Sequence, residues 1–485
     1  MRQRWCALMW LTLASACGAA EPARDVAPYI AIADPVIALR HVTLIDGTGA
    51  AARTDQTLVI ERGRIARIGP ADSTAVPAGV TARDLPGYSV LPGLVGLHDH
   101  LYYTNSATAQ RSAGHLEEPG FIVAEIPYSA PRLYLAGGVT TLRTTGSIEP
   151  YADLRIAARI RAGAMPGPAI DVTAPYLEGP DTFFAQMHSL TSPADARRFV
   201  AFWADNGMTS FKAYMNITRA QLAAAIKEAH RRHLKLTGHL CSVSWPEAIA
   251  AGIDDFEHGP IYTDSEFVTG RKADVCPDGA ALDAAWRNED LAGARVRALI
   301  DALIAHHVAV TSTLPVFEAS LGGRAPVQKR LLEVLAPGAR DSYLSARARL
   351  DPHDESDARL FRKEMDFEVA FVRAGGLLLA GPDPTGNGGV VPGFGDQREV
   401  ELLVEAGLTP LEALRVASLN GARFLGRDQD IGTLAVGKRA DLLLVKGDPS
   451  TRIEDLEKLE IVFRDGVGYD SAKLVASVRG QVGLR

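Results

Sequence analysis

The stretch SVLPGLVGLHDH, residues 89–100, is a run of mostly apolar residues that ends in two histidines separated by one aspartate. Its length and apolar character predict a buried β-strand. Because alternate residues of a strand face the same side, His98 and His100 would present their imidazoles together. Two histidines on one face are a common beginning of a zinc site, although such pairs also arise by chance on protein surfaces.

Seven more short apolar stretches follow along the chain. They are VTTLRTTG (139–146), AIDVTAPYL (169–177), TSFKAYM (209–215), KLTGHL (235–240), DDFEHG (254–259), AVTSTL (309–314) and LLLAGPD (377–383). Amphipathic helices are predicted between them, for example over 192–207 with Ser192 as N-cap and over 218–233 with Thr218 as N-cap. This alternation predicts a (β/α)8 TIM barrel over residues 90–426. A doubly wound open sheet is the alternative, but it gives no reason for polar residues at so many strand ends.

Both ends of the chain have a different pattern from the middle. Residues 36–89 and 427–485 contain short strand-like segments that alternate apolar and polar residues around glycine turns. We therefore expect a small β-sandwich domain assembled from both chain ends beside the barrel.

Side chains suited to metal binding lie at the C-terminal ends of several predicted strands. They are His98, His100, Lys212, His239, His258 and Asp383. Each alone has a structural explanation, such as a histidine packed in the barrel or an aspartate that caps a loop. TIM barrels build their active sites at these strand ends, so the set together favours a catalytic centre.

Lys212 adds a specific hypothesis. Strand alternation places Ser210, Lys212 and Tyr214 on the side that faces the barrel interior. A buried ammonium without a partner is costly, so the pKa of this lysine should fall toward the neutral amine. A neutral amine can combine with carbon dioxide to give a carbamate, N6-carboxylysine, whose oxygens could bridge two metal ions. The alternative is a lysine whose ammonium reaches solvent at the end of the barrel.

The sequence resembles the amidohydrolase superfamily over nearly the whole chain. The matching motifs are LPGLVGLHDH, SFKAY, the His239 strand, DDFEHG, LAGPD and the C-terminal LEALRVASLNGARFLG followed by IGTLAVGKRADLLLVKGDP. Within the superfamily it is most similar to the imidazolonepropionase-like and prolidase-like branch, which has a binuclear metal centre and a carboxylated lysine. Pro382 and Pro384 on both sides of Asp383 depart from the small residues that are more usual at these positions.

The resemblance implies two divalent metal ions, with zinc as the expected metal. One ion would be held by His98, His100, Lys212 and Asp383, and the other by Lys212, His239 and His258. A hydroxide shared by the two metals would attack the substrate, and Asp383 would shuttle the proton to the leaving group. Tyr214 would stabilise the developing oxyanion, with barrel packing as the alternative.

The expected reaction is hydrolysis of an amide bond to an amino acid, in a dipeptide or an N-acyl amino acid. A substrate carboxylate would need a cation, for which Arg143 and Arg398 are candidates, and each could instead form a structural ion pair. Segments 262–288 and 317–357 are expected to form pocket walls. The alternatives are a lactonase, esterase or phosphotriesterase, a mononuclear deaminase, and a catalytically inactive binding protein.

The N-terminus predicts export. Residues 1–20 have the charged, apolar and small-residue segments of a signal peptide, and Cys17 allows a lipoprotein anchor. We therefore expect a secreted or periplasmic enzyme, and homo-oligomers are compatible with the sequence. The formal net charge of -7 argues against nucleic acid as a partner, which leaves a small-molecule substrate. An oxidising compartment would permit Cys241 and Cys276 to pair, but the sequence leaves that pairing open.

Overall fold

The computed structural model describes residues 23–80, 82–104, 123–180, 182 and 184–483. The predicted signal peptide and the anchor at Cys17 lie outside these residues. Within them, no helix combines the length and apolar character needed to cross a membrane.

The described chain contains seventeen strands and sixteen α-helices. The strands are β1 (Ile30–Ile32), β2 (Val36–Leu44), β3 (Arg53–Glu61), β4 (Arg64–Pro70), β5 (Ala82–Asp84), β6 (Tyr88–Pro92), β7 (Leu94–Asp99), β8 (Val139–Thr144), β9 (Ala169–Val172), β10 (Ser210–Ala213), β11 (Lys235–Gly238), β12 (Asp255–Glu257), β13 (Ala309–Ser312), β14 (Leu378–Ala380), β15 (Leu442–Lys446), β16 (Leu459–Arg464) and β17 (Val467–Asp470).

The helices are α1 (Ser129–Ala136), α2 (Pro150–Arg161), α3 (Pro193–Asp205), α4 (Arg219–Arg231), α5 (Trp245–Ala251), α6 (Pro260–Thr263), α7 (Gly279–Asn288), α8 (Ala294–Ala305), α9 (Leu314–Glu318), α10 (Lys329–Val334), α11 (Pro337–Ala348), α12 (Glu355–Arg373), α13 (Phe394–Ala406), α14 (Pro410–Arg415), α15 (Gly421–Phe424) and α16 (Ser471–Ala476).

Two of the predicted helix starts are confirmed. The Ser192 side chain accepts a hydrogen bond from the Asp195 backbone N–H at the start of α3. Thr218 forms a reciprocal capping box with Gln221 at the start of α4. These caps satisfy backbone donors that would otherwise lack partners at the first turn of each helix.

Strands from both chain ends form one nine-stranded mixed sheet. Its order is β1-β17-β16-β15-β6-β2-β3-β4, with β5 paired to β2. The central pairing is antiparallel between β6 and β15, with Leu91 opposite Leu443. Apolar side chains from both ends, including Leu58 and Phe463, pack in a shared core. The two-layer sandwich and the domain limits stay predictions, because the strands of this region are hydrogen-bonded into a single sheet.

The stretch 89–100, predicted as one barrel strand, divides into two strands. β6 belongs to the terminal sheet and β7 belongs to the barrel-like layer. The division falls at Gly93, where an added Cβ would lie 2.2 Å from Thr140 Oγ1. Only glycine allows that close approach, so the chain can pass from one sheet to the other here.

Eight parallel strands, β7 to β14, form the middle of the chain. β7-β8-β9 form one sheet and β10 to β14 form another, each in sequential order. Parallel bridges join them at Thr173–Ser210 and Leu177–Ala213. At the other edge, the Asp383 N–H donates to the His98 carbonyl at 3.1 Å. This TIM-barrel-like order contradicts a doubly wound sheet, in which the strand order reverses.

A disulfide joins Cys241 to Cys276, with their Cα atoms 4.8 Å apart. It links the loop after β11 to the segment before α7. The bond therefore ties the 262–288 segment to the end of the molecule at which the barrel strands terminate.

Candidate active site

The structure brings the predicted metal-binding residues together at the C-terminal ends of the barrel strands. His100 Nε2 lies 3.3 Å from Asp383 Oδ1, and Lys212 Nζ lies 3.2 Å from His98 Nε2. The His258 ring centroid is 4.5 Å from that of His98 and 4.5 Å from that of His239. The six predicted residues therefore meet in one site at the ends of five different strands.

These residues fit a divalent metal ion. One ligand-type atom from each of His98, His100 and Asp383 lies within 4.8 Å of the others, and all three residues are buried. Burial and the neighbouring Lys212 hold the pKa of His98 well below its ordinary value. The same two causes lower the pKa of His239 to about 3. Neutral imidazoles offer lone pairs, which is the form that binds metal ions.

Hydrogen bonds to neighbouring side chains orient two of the histidines. His98 Nδ1 lies 2.7 Å from Glu257 Oε2, and His258 Nδ1 lies 2.8 Å from Thr313 Oγ1. The Glu257 contact leaves His98 Nε2, which lies 3.7 Å from Asp383 Oδ2, as the nitrogen that can bind a metal, a common arrangement in metalloproteins. His258 Nδ1 also lies 3.9 Å from Asp383 Oδ2. Neither Glu257 nor Thr313 was predicted from the sequence to belong to the site. Alternation in DDFEHG places Asp255 and Glu257 on one face, and that signal could have identified the carboxylate.

Arg143 lies beneath the site and not at its mouth. Its Nη2 donates to Asp255 Oδ2 at 2.9 Å and to Glu257 Oε1 at 2.8 Å, and its Nε donates to the Leu97 carbonyl. The side chain is 1% exposed. Its Nη2 and Nε are therefore engaged inside the barrel, and a contact between Arg143 and a substrate carboxylate stays a prediction. The structural ion pair, the alternative interpretation, describes it.

Arg398 is also engaged by carboxylates. It forms two hydrogen bonds with Glu318, at 2.7 and 2.9 Å, and a third with Glu401 at 2.9 Å. A bidentate pair of this kind neutralises the guanidinium. Arg398 therefore offers little charge to a substrate carboxylate.

Lys212 faces inward, as strand alternation predicts, and is 2% exposed. Burial lowers the pKa of its ammonium to about 8, partly offset by Glu257 and Asp383. Its Nζ lies 5.4 Å from the centre of the Tyr176 ring and 5.7 Å from that of Tyr214. The surroundings therefore favour the neutral amine far more than solvent does.

Tyr214 borders the site next to His239, with ring centroids 4.9 Å apart. It is half-buried. Burial and the Asp383 carboxylate raise the pKa of its phenol. The hydroxyl therefore keeps its proton and remains a hydrogen-bond donor at neutral pH. Its role toward an oxyanion stays a prediction.

Asp383 and His258 share an unusual backbone conformation. Their φ angles are 50° and 76°, in the left-handed region that non-glycine residues rarely adopt. Asp383 is flanked by Pro382 and Pro384, and Thr385 Oγ1 donates to its Oδ1 at 3.0 Å. Burial raises the pKa of Asp383, but His98 and His100 outweigh that effect and hold it below its ordinary value. The carboxylate is therefore ionised and can accept a proton.

Comparisons with known proteins agree with this geometry. The sequence profile of the Amidohydrolase family matches residues 383–468. An imidazolonepropionase from Stenotrophomonas maltophilia (strain R551-3) is 26% identical over 460 residues, which cover 92% of this chain and 96% of that protein.

Solved structures give the same result. A putative prolidase from Bifidobacterium longum matches with a TM-score of 0.61 and 25% identity, covering 91% of this chain and 98% of the other. A bottromycin amidohydrolase matches with a TM-score of 0.67 at 22% identity, covering 92% and 91% of the two chains, which shows the shared fold. The resemblance in the motifs is confirmed: this chain is similar to hydrolases of the amidohydrolase superfamily along most of its length, and the family profile matches its C-terminal part.

Proposed function

We propose that this protein is a metal-dependent amidohydrolase that cleaves an amide bond joined to an amino acid, in a dipeptide or an N-acyl amino acid. The observation that carries the proposal is the convergence of four histidines, Lys212 and Asp383 at one end of the barrel-like strands. The likeness to a putative prolidase supports the substrate class. A structure described as a Xaa-Pro dipeptidase has the same fold at 18% identity.

The metal centre would use two groups of ligands. His98, His100, Lys212 and Asp383 would hold one ion, and Lys212, His239 and His258 would hold the other, with zinc as the expected metal. Two such ions, when bound, would polarise the scissile carbonyl and make water nucleophilic near neutral pH.

Lys212 would take part as a carbamate. Its neutral Nζ attacks the carbon of carbon dioxide, an N–C bond forms while one C=O π electron pair moves to oxygen, and one N–H proton leaves to solvent. The product is an anion with two oxygens that can serve as metal ligands, which neither the amine nor the ammonium offers. The 3.2 Å contact between Nζ and His98 Nε2 supports this step, because it places the new group beside a metal ligand.

Asp383 would move the proton of the reaction. Its ionised carboxylate accepts a proton from the attacking water and returns it to the leaving nitrogen. Its position beside His98, His100 and His258 places that transfer at the centre of the site. The Tyr214 hydroxyl, held in its protonated form, would donate a hydrogen bond to the oxygen of the scissile carbonyl.

Export is part of the same proposal. A signal peptide would be removed between Ala16 and about Glu21, and Cys17 would carry a lipid if the cut falls directly before it. The Cys241–Cys276 disulfide supports an oxidising compartment such as the periplasm. Mass spectrometry of the exported protein should give a chain that lacks the first residues, and an intact chain retained in the cytoplasm would contradict export.

A substrate screen tests the reaction. We expect the zinc-loaded enzyme to hydrolyse dipeptides or N-acyl amino acids faster than lactones, esters or phosphotriesters, with Asp383→Asn as the inactive control. Lactones or phosphotriesters as much better substrates would contradict the amide assignment. Release of ammonia from an aminated ring, with full activity at one metal per chain, would favour the deaminase alternative.

A further inference from the structure

Two aromatic rings are stacked beside the candidate site. Tyr262 in α6 and Phe317 in α9 have ring centroids 3.7 Å apart and an interplanar angle of 8°. They follow two neighbouring strands of the barrel-like layer, β12 and β13. Both residues are half-buried. We call this pair the Tyr262–Phe317 platform.

The platform contacts the metal-binding residues. The edge of Phe317 meets the His258 ring, with centroids 5.8 Å apart and an interplanar angle of 83°. The adjacent Val316 lies beside the loop that follows Asp383, since a Cβ added at Gly386 would be 3.5 Å from Val316 Cγ2. The platform therefore borders the site between His258 and the Asp383 loop.

The opposite side of the site is closed by different aromatic residues. Tyr102 stacks on His100 with ring centroids 4.4 Å apart, and its hydroxyl lies 2.5 Å from that of Tyr176. Both tyrosines are no more than 2% exposed, so they are part of the packed interior. The half-buried platform has open aromatic surface that these rings lack.

Two arginines at this end of the barrel are engaged by carboxylates, and the charged groups that act on Tyr262 are acidic, namely Glu364, Asp357 and Asp283. Arg143 is paired with Asp255 and Glu257, and Arg398 with Glu318. Recognition on this side of the site therefore depends on apolar area and on ring stacking more than on charge. Aromatic pairs add stabilisation beyond the area that they bury, so an aromatic ring of the substrate would bind well against the platform.

We propose that the Tyr262–Phe317 platform is the subsite for the side chain of the leaving amino acid, and that it selects an aromatic or large apolar side chain. We assign the platform to the leaving-group side of the substrate because Asp383 returns its proton to the leaving nitrogen. The loop that follows Asp383 runs beside Val316, next to the platform. This inference rests on the proposed amide hydrolysis. It defines the substrate class as N-acyl or N-aminoacyl derivatives of phenylalanine, leucine or similar residues.

The test compares glycyl-phenylalanine, phenylalanyl-glycine and glycyl-glycine. We expect the wild-type enzyme to hydrolyse glycyl-phenylalanine with a kcat/KM at least about tenfold above that for glycyl-glycine. Phe317→Ala should remove most of that preference through KM, so that kcat/KM falls much further for glycyl-phenylalanine than for glycyl-glycine. Phe317→Leu retains apolar volume, so its preference for glycyl-phenylalanine should lie between those of the wild type and Phe317→Ala. This variant also keeps the test valid if the alanine variant folds poorly. Phe202→Ala is the control, since Phe202 is a 52% exposed ring on α3.

Two results would overturn the subsite. One is an unchanged preference for glycyl-phenylalanine in both Phe317 variants, and the other is an equal loss on all three dipeptides. If the wild type hydrolyses no amide, the proposed reaction fails, and calorimetric binding of N-acetyl-phenylalanine against N-acetyl-alanine still decides the subsite. Tighter binding of N-acetyl-phenylalanine by the wild type, weakened in Phe317→Leu, would support the platform as the subsite. Equal affinities of the wild type for the two compounds would contradict it.

Discussion

Removal of the Arg143 guanidinium separates the structural role of this arginine from the substrate role first considered for it. Arg143→Met keeps an unbranched apolar side chain of similar length but removes the donors to Asp255, Glu257 and the Leu97 carbonyl. Loss of one partner from a buried ion pair costs about 3–5 kcal/mol, because the remaining charge has no compensation.

We expect the lower end of that range at neutral pH. Burial and the nearby Glu257 already raise the pKa of Asp255 to about 7, even with Arg143 present. Without the arginine, Asp255 can take up a proton and so relieve part of the cost. The loss of stability should therefore be about 3 kcal/mol near pH 7 and should grow as the pH rises.

The assay is urea unfolding of the purified protein, monitored by circular dichroism, at pH 7 and pH 8.5. Arg359→Met is the control, because Arg359 pairs with Glu355 at 3.0 Å and both side chains are exposed, at 70% and 82%. That pair should be worth less than about 1 kcal/mol. Arg143→Met with normal stability and only a raised KM would refute the reasoning and restore the substrate role.

Three further predictions concern other residues. Asp383→Asn should retain the fold but lower kcat by at least about a hundredfold, because it removes the proton acceptor, and a near-normal rate in steady-state assays would exclude Asp383 from the mechanism. Lys212→Ala should lose bound metal and activity together, measured by elemental analysis and hydrolysis, and a short carboxylic acid in solution should restore part of both; full metal content in the variant would contradict the carbamate. Asp264 is buried, and burial raises its pKa to about 7, so between pH 5 and 6.5 the unfolded carboxyl is ionised while the folded one is not. Stability of the wild type should fall through this interval by up to about 2 kcal/mol from this group, and Asp264→Asn should flatten the slope in denaturant titrations, whereas an unchanged slope would show that Asp264 is ionised in the folded protein.

The order of the barrel-like strands could be predicted from sequence because each strand is a local pattern. Short apolar runs with polar ends, separated by amphipathic helices, specify their own secondary structure within a few residues. The inward direction of Lys212 follows in the same way from alternation along β10. The division of 89–100 at Gly93 was not predicted, because it depends on the approach of Thr140 from another strand.

The partners of the site residues are long-range, and this limited their prediction. Arg143 is separated from Asp255 by 112 positions and from Glu257 by 114. No local period links such residues, so the sequence left Arg143 open between substrate and ion pair. The Cys241–Cys276 pairing was open for a similar reason, since it depends on how a 35-residue segment folds back.

The central claim is that hydrolysis depends on a pair of metal ions held by the four histidines, Lys212 and Asp383. The most direct test removes metal from the purified protein with a chelator and then adds zinc stepwise in the presence of bicarbonate, while hydrolysis of a dipeptide is followed. The account predicts loss of activity on stripping and recovery that reaches its plateau at about two zinc ions per chain. Undiminished hydrolysis by the metal-free protein, or a plateau at one ion, would contradict it.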